Sequence, residues 1–175
     1  MQPLLQALDA LAFVARHLNP PDFAAVMDAV GGPDEALRAA HRRPDSWPED
    51  LADMRSRIRV ASDAALAAFD GLRAAADQPE GLVAVFRALR QATTALEALY
   101  PLADVLPAVS RFFLDPAMRD DADLQLRLTR PGREGGTGIT HLANDPGSRG
   151  GFSLYVPEYY SGDRAWPLVM ALHGG

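Results

Sequence analysis

The sequence contains no cysteine and no lysine, so all 17 of its basic residues are arginine. Without cysteine, these 175 residues hold no disulfide bond, no thiolate metal site and no cysteine nucleophile. Without lysine, they offer no Schiff-base former and no lysine of a phosphate-binding loop. Several kinds of chemical site are therefore excluded from this stretch of chain.

Long hydrophobic runs are also missing. No apolar segment approaches the roughly 20 residues that a membrane span requires. The first residues lack a basic leader region, and Asp9 and Arg16 interrupt their apolar stretch, which makes a poor signal peptide. The formal net charge of −6 opposes nonspecific binding to nucleic acid. We therefore expect a cytoplasmic protein with no membrane span and no nucleic-acid partner.

Apolar residues recur at helical spacing from the N-terminus to residue 113. Two long apolar seams cover residues 51–76 and 80–100, and they predict an antiparallel helical hairpin inside a small bundle. Asn19 is the expected N-cap of the second helix. Shorter helices are predicted at 3–18, 20–30, 33–41 and 102–113.

The helical region offers polar residues but no predicted chemical site. Arg55, Arg57 and Arg59 alternate along one helix, which distributes their charge around it and indicates a solvated surface. His17 and His41 belong to no cluster at metal-ligand spacing, so neither is predicted to bind a metal. The helix-spaced methionine and phenylalanine side chains are interpreted as core packing.

The pattern changes near residue 120. Leu124 to Thr129 alternates apolar and polar residues, which predicts a half-buried strand. Gly138 to Leu142 is expected to be a brief extended piece within a glycine-rich loop, and Gly151 to Pro157 a second strand. Pro167 to Leu172 contains an unbroken apolar run that is too short for a buried helix. It is predicted to be a strand covered on both faces.

This last run leads directly into His173, Gly174 and Gly175. Glycines after a buried strand allow backbone N–H groups to approach a tetrahedral intermediate without hindrance from side chains. With Leu154-Tyr155-Val156-Pro157 and Trp166-Pro167-Leu168-Val169 before it, this order of segments resembles the opening of an α/β-hydrolase. It is most similar to bacterial phospholipase/carboxylesterase-like enzymes, relatives of polyhydroxybutyrate depolymerases and dienelactone hydrolases. The resemblance covers about residues 120–175.

The resemblance implies that His173, Gly174 and Gly175 form an oxyanion loop, with His173 a structural member of the turn and not the triad base. The serine nucleophile of a G-x-S-x-G elbow, the acid and the base would then lie beyond residue 175, because that motif does not occur here. The sequence around Ser148 comes nearest to a G-x-S-x-G motif, but it lacks the first glycine and precedes the oxyanion segment. We expect residues 1–175 alone to be inactive, and we expect no cofactor and no metal.

The predicted fold class is α+β, with a helical bundle domain at 1–116 and the first strands of a truncated α/β-hydrolase sheet at 117–175. The expected function is that of the N-terminal part of a serine carboxylic-ester hydrolase acting on small-molecule or lipid esters. The alternative is a helical interaction or oligomerisation module with a non-catalytic strand remnant; self-association through the helices is compatible with both. In an incomplete sheet, Leu168, Met170 and Leu172 or their opposite-face neighbours should be exposed.

Overall fold

The structure is a computed structural model that describes residues 1–19, 22–43, 47–75, 81–128, 138–142, 151–157 and 160–172. The chain divides into two compact units, Met1–Asp121 and Ala122–Gly175. The α-helices of the described residues are α1 (Gln2–His17), α2 (Phe23–Val30), α3 (Pro33–His41), α4 (Ala52–Ala75), α5 (Gly81–Leu99), α6 (Pro107–Phe112) and α7 (Ala122–Leu128). The strands are β1 (Gly138–Leu142) and β2 (Phe152–Val156).

The core of the first unit lies between α1, α3, α4 and α5. Its largest fully buried apolar side chains are Leu4, Leu11, Phe69, Leu72 and Leu99. Each contributes about 1.5–3 kcal/mol relative to remaining exposed. The helical periodicity of the sequence thus places one apolar stripe of each helix in a shared interior.

The hairpin of α4 and α5 is the most extensive helix pair of this unit, and the sequence predicts both helices. The two helices approach closely at Gly71, since an ideal Cβ at this position would be only 2.8 Å from the Cβ of Ala88. A glycine in a helix interior weakens the helix by roughly 1 kcal/mol. Its presence here is explained by the close approach of the two backbones.

The sequence also predicts where α2 ends and α3 begins. Gly31 ends α2 with a φ of +67°, a conformation that favours glycine, and Pro33 begins α3 with its φ already set for a helix. The expected N-cap of α2 is wrong. The helix begins at Phe23 after Asp22, and Asn19 instead donates a side-chain hydrogen bond to the Asp22 carboxylate over 2.6 Å.

The expected fold class, a helical bundle followed by the first strands of an α/β-hydrolase sheet, is wrong. The described residues are mostly helical, and their strands are confined to one short antiparallel pair, β1 and β2. Its register places Gly138 opposite Val156 and Leu142 opposite Phe152. No parallel, helix-covered sheet is present among the residues that the structure describes.

Two of the predicted strands account for this difference. Leu124 to Thr129 was predicted to be extended, but α7 runs from Ala122 to Leu128. Leucine, glutamine and arginine are good helix formers, and Asp123 stands in the first turn, where the helix dipole favours a negative charge. Local propensity therefore outweighs the period-two pattern.

The predicted third strand, Pro167 to Leu172, forms no regular structure. Pro167 has no N–H to donate to a neighbouring strand, and no hydrogen bond joins this segment to the described strands. The predicted helix at 102–113 is also shorter than expected. A 3-10 turn at Tyr100–Leu102 precedes it, and α6 begins only at Pro107.

Candidate functional site

The predicted oxyanion loop, His173, Gly174 and Gly175, lies outside the described residues, and so does Ser148. The chain that leads to the loop is described from residue 160 to residue 172. The described part of the candidate site therefore ends at Leu172.

Trp166 anchors the turn that precedes the apolar run. Its indole Nε1 donates a hydrogen bond to the backbone carbonyl of Ser161 over 2.8 Å. The Arg164 guanidinium lies 3.9 Å from the centroid of the indole ring, and the centroid of the Tyr160 ring lies 5.8 Å from it. A cation over an indole face is the most favourable of such pairs. The Ser-Gly-Asp sequence predicts a turn here, but nothing in the sequence identifies Trp166 as its anchor.

The run after Trp166 is exposed along its whole length. Leu168, Val169, Met170 and Leu172 keep between 71% and 88% of their surface accessible. The exposure of Leu168, Met170 and Leu172 agrees with the expectation for an uncovered sheet, although the strand itself does not form. Consecutive exposed large apolar residues are unusual in a monomeric protein and mark surfaces that another protein segment covers.

A buried carboxylate lies in the first unit. Asp34, in the first turn of α3, is 1% exposed. Arg73 of α4 donates from Nη1 and Nη2 to its two oxygens over 2.8 and 2.5 Å, and Arg38 donates from Nε over 3.0 Å. Arg38 also donates to the carboxylate of Asp70 on α4. These contacts attach α3 to the C-terminal end of α4.

The arginines determine the protonation of this carboxylate. The hydrogen bonds from Arg73, followed by those from Arg38, lower the pKa of Asp34 below its ordinary value of 3.8, although burial acts in the opposite direction. The pKa of Arg38 and of Arg73 is raised by their carboxylate partners, so these two arginines and Asp34 are charged at neutral pH. Three charged groups that hydrogen-bond to one another have no proton to transfer near neutrality, and their role is structural.

Arg119 forms a second group of charged hydrogen bonds within the first unit. It donates from both terminal nitrogens to the Asp9 carboxylate over 2.7 and 2.9 Å. It also donates to the backbone carbonyls of Phe112, over 2.9 Å, and Leu114, over 3.3 Å, and lies over the Phe112 ring. One side chain thus joins α1 to the carbonyl groups at the end of α6.

A cavity of about 610 Å³ lies beside Asp9 and Arg119. Its walls come from α1, α5 and α6 and include Leu11, Leu89, Leu96 and Phe112. The walls are mostly apolar and the charged lining residues are of both signs, so the cavity has the chemistry of an apolar groove without a charge preference.

Two histidines of the first unit, His17 and His41, each have a polar neighbour in the structure. His17 bonds through Nδ1 to the backbone oxygen of Phe13 over 2.9 Å. His41 lies 2.9 Å through Nε2 from the carboxylate of Asp63, which is 22 positions further along the chain. Within the described part of the chain, no group of three or more His, Asp or Glu side chains is arranged to hold a metal ion.

No protein-family model matches this chain, and no curated protein or solved structure compared with it does either. The resemblance to α/β-hydrolases rests on the residues quoted above alone. Among the described helices, none combines the length and apolar character that crossing a membrane requires.

Proposed function

We propose that this chain is part of a serine carboxylic-ester hydrolase, and that His173, Gly174 and Gly175 belong to its oxyanion loop. The observation that carries the proposal is the apolar run from Leu168 to Leu172, which is exposed on the protein and passes directly into His173-Gly174-Gly175. The substrate class is a small-molecule or lipid ester.

The exposure of this run favours a covering partner. Each large side chain in it gains about 1.5–3 kcal/mol when fully buried. We infer that protein beyond residues 1–175 provides the cover. The glycines that follow would then enter a dry interior, where backbone N–H donors stabilise developing negative charge far better than they do in water.

In such an enzyme a serine attacks the ester carbonyl while a histidine accepts its proton, and an acid orients the histidine. The carbonyl oxygen becomes an oxyanion, to which the loop around Gly174 and Gly175 donates hydrogen bonds. His173 belongs to the turn and transfers no proton in this scheme. The nucleophile, acid and base come from outside residues 1–175, because no G-x-S-x-G occurs among them.

The test compares p-nitrophenyl butyrate hydrolysis by residues 1–175 with hydrolysis by the product of the whole natural open reading frame. We expect no turnover by the former. We expect turnover by the latter that disappears when the serine of its G-x-S-x-G is replaced by alanine. A reading frame without such a serine overturns the proposal, as does turnover by residues 1–175 alone.

A glycine substitution tests the oxyanion role itself. In the active protein, Gly174→Val should lower kcat by about 10²-fold or more, the effect of a lost oxyanion donor. Gly162→Val is the matched control, because a Cβ on Gly162 meets nothing within 4 Å. Equal effects of the two substitutions would remove Gly174 from the site.

The second candidate function is self-association through the helical unit. It is favoured by an exposed apolar patch at the start of α5, where Leu82, Val83 and Phe86 are 44%, 56% and 55% accessible. Positions 82 and 86, and 83 and 86, are neighbours on one helix face. We infer that a second copy of the chain would cover this patch.

Light scattering measures the apparent mass of residues 1–175. It can show whether copies associate through the α5 patch or through the apolar run at 168–172. Phe86→Glu should reduce the apparent mass to that of one chain, while Val169→Glu should leave it unchanged. The reverse outcome would assign association to the run, and a monomer without any substitution would reject the candidate.

A further inference from the structure

A second cavity in the first unit differs from the apolar groove in its charge. It measures about 210 Å³ and lies between the start of α1, the end of α3 and the first half of α4. Its polar and aromatic lining residues are His41, Arg43, Trp47, Arg55, Arg59 and Ser62. Among the described residues, every ionisable side chain that lines it is an arginine or a histidine.

The two arginines of α4 stand on the same side of that helix. Arg55 and Arg59 are one turn apart and both line the cavity, whereas Arg57 turns away and donates to Asp53 over 2.8 Å. The sequence interpretation, in which these charges are spread around a solvated helix, therefore missed a local concentration of two of them. Like charges at this spacing destabilise a helix.

Arg43 adds a third guanidinium from the chain that follows α3. Within the described residues, neither Arg43 nor Arg59 forms an ion pair. Asp63, a carboxylate near the cavity, is already engaged by His41. Arg43 and Arg59 thus place positive charge without a paired carboxylate among the described residues beside one small cavity, in a chain whose net charge is −6.

The remaining walls determine the shape of a suitable ligand. Trp47 is half-buried and presents an indole ring, and Ile58 and Leu37 supply aliphatic surface. The volume lies below the roughly 300 Å³ at which pockets for drug-sized ligands begin. Guanidinium groups bind carboxylates and phosphates through two parallel hydrogen bonds, and an indole ring packs well against a flat apolar group.

We propose that this cavity binds a small organic anion, in which a carboxylate or phosphate is attached to a flat apolar group. Arg43 and Arg59 hold the oxyanion, and Trp47 contacts the apolar group. The inference concerns the helical unit alone and does not rest on the proposed hydrolase function.

The fluorescence of Trp47 provides the assay. The sequence contains only one other tryptophan, Trp166, so the protein is studied as the Trp166→Phe variant. It is titrated in parallel with phenyl phosphate, benzoate, inorganic phosphate and phenol. Phenyl phosphate or benzoate should change the emission saturably, with a midpoint on the order of 1 mM for ligands of this size. Inorganic phosphate and phenol, which each lack one half of the ligand, should bind at least fivefold more weakly.

Single arginine substitutions test the assignment of residues. Arg43→Gln and Arg59→Gln should each weaken binding of the preferred anion by about five- to tenfold, the effect of one nearby charge. Arg59→Lys should restore most of the affinity to a carboxylate. Arg90→Gln, which removes the same charge from an exposed position on α5, should change the midpoint less than twofold.

Three outcomes would overturn the proposal. One is no saturable change up to about ten times the expected midpoint. Another is equal weakening by Arg59→Gln and Arg90→Gln, which would show diffuse attraction only. The third is binding of phenol as tight as that of phenyl phosphate. An Arg43→Gln variant with a lower melting temperature and an unchanged binding midpoint would overturn the assignment of Arg43, because it would show that Arg43 serves only the negative end of the α3 dipole.

Discussion

At the scale of single residues, two carboxylate–arginine contacts hold the first unit together, and they differ from the surface ion pairs around them. Asp34 is almost inaccessible, and Arg119 uses three of its nitrogens on one carboxylate and two carbonyls. Exposed ion pairs contribute little, whereas bidentate and partly buried ones can be measured by substitution.

Replacing Asp34 by asparagine should lower the free energy of unfolding by about 2–3 kcal/mol, slightly below the usual effect of breaking a buried pair because both arginines stay partly hydrated. Asp70→Asn is the control. It removes a carboxylate from the same cluster, but this carboxylate is 61% exposed, so its loss should cost under about 0.5 kcal/mol. Urea unfolding of both variants measures the difference.

The same residue makes stability depend on pH. The pKa of Asp34 is lower in the folded protein than its ordinary value of 3.8, so its stabilisation is complete above that value and is lost as pH falls through the lower, folded pKa. The stability gap between wild type and Asp34→Asn should therefore be constant near neutrality and shrink below about pH 4. A gap that grows on acidification would contradict the assigned charge state.

Arg119→Lys should destabilise the protein by about 1–2 kcal/mol, because one ammonium cannot reproduce a bidentate contact and two carbonyl contacts together. Arg111→Lys is the control. Arg111 lies 3.6 Å from the exposed Asp120, and its replacement should change stability by under about 0.5 kcal/mol. Equal effects in thermal unfolding would show that the geometry of Arg119 is unimportant.

At the scale of elements, the hairpin of α4 and α5 contains a close contact between two small residues. The sequence predicts both helices from their apolar seams, but it does not predict which turn of one meets which turn of the other. The close approach of Gly71 to Ala88 identifies one such pair of turns.

Gly71→Ala should destabilise the protein by about 1–2 kcal/mol, since overpacking exceeds the gain in helix propensity. Adding Ala88→Gly should recover part of this loss, because the nearest Ala88 atom is then its Cα at 3.4 Å. A double-mutant cycle in urea measures the coupling. Additive effects would mean that the helices do not meet here, and Gly162→Ala serves as the unhindered control.

Elements beyond residue 121 show where sequence patterns are ambiguous. A short stretch of alternating leucines suits a strand and a helix equally well, and α7 forms because its residues favour helix locally. The apolar run at 168–172 has the composition of an interior strand, but a strand requires a partner, and the described strands do not pair with it.

At the scale of the whole molecule, the exposed apolar run should dominate solubility. Met170→Glu and Met170→Lys change the net charge from −6 in opposite directions, to −7 and −5. Both should raise the solubility limit of residues 1–175, because each interrupts the apolar surface. Static light scattering against concentration provides the measurement.

The two substitutions also separate two causes of association. If net charge alone governed solubility, Met170→Lys would lower it while Met170→Glu raised it. Val60, an exposed apolar residue on α4, is the control position, because a charge introduced there should change solubility less.

The sequence by itself determines the principal helices, α1, α3, α4 and α5, because helical periodicity, prolines at helix starts and Gly31 act over a few residues. It also excludes thiol and lysine chemistry. Only the tertiary structure decides that Arg73 meets Asp34, 39 positions away, that Arg119 meets Asp9, 110 positions away, and that Arg43 joins Arg55 and Arg59 around one cavity. The reason is that these contacts depend on how helices pack in space, and local sequence patterns carry no information about which distant surfaces meet.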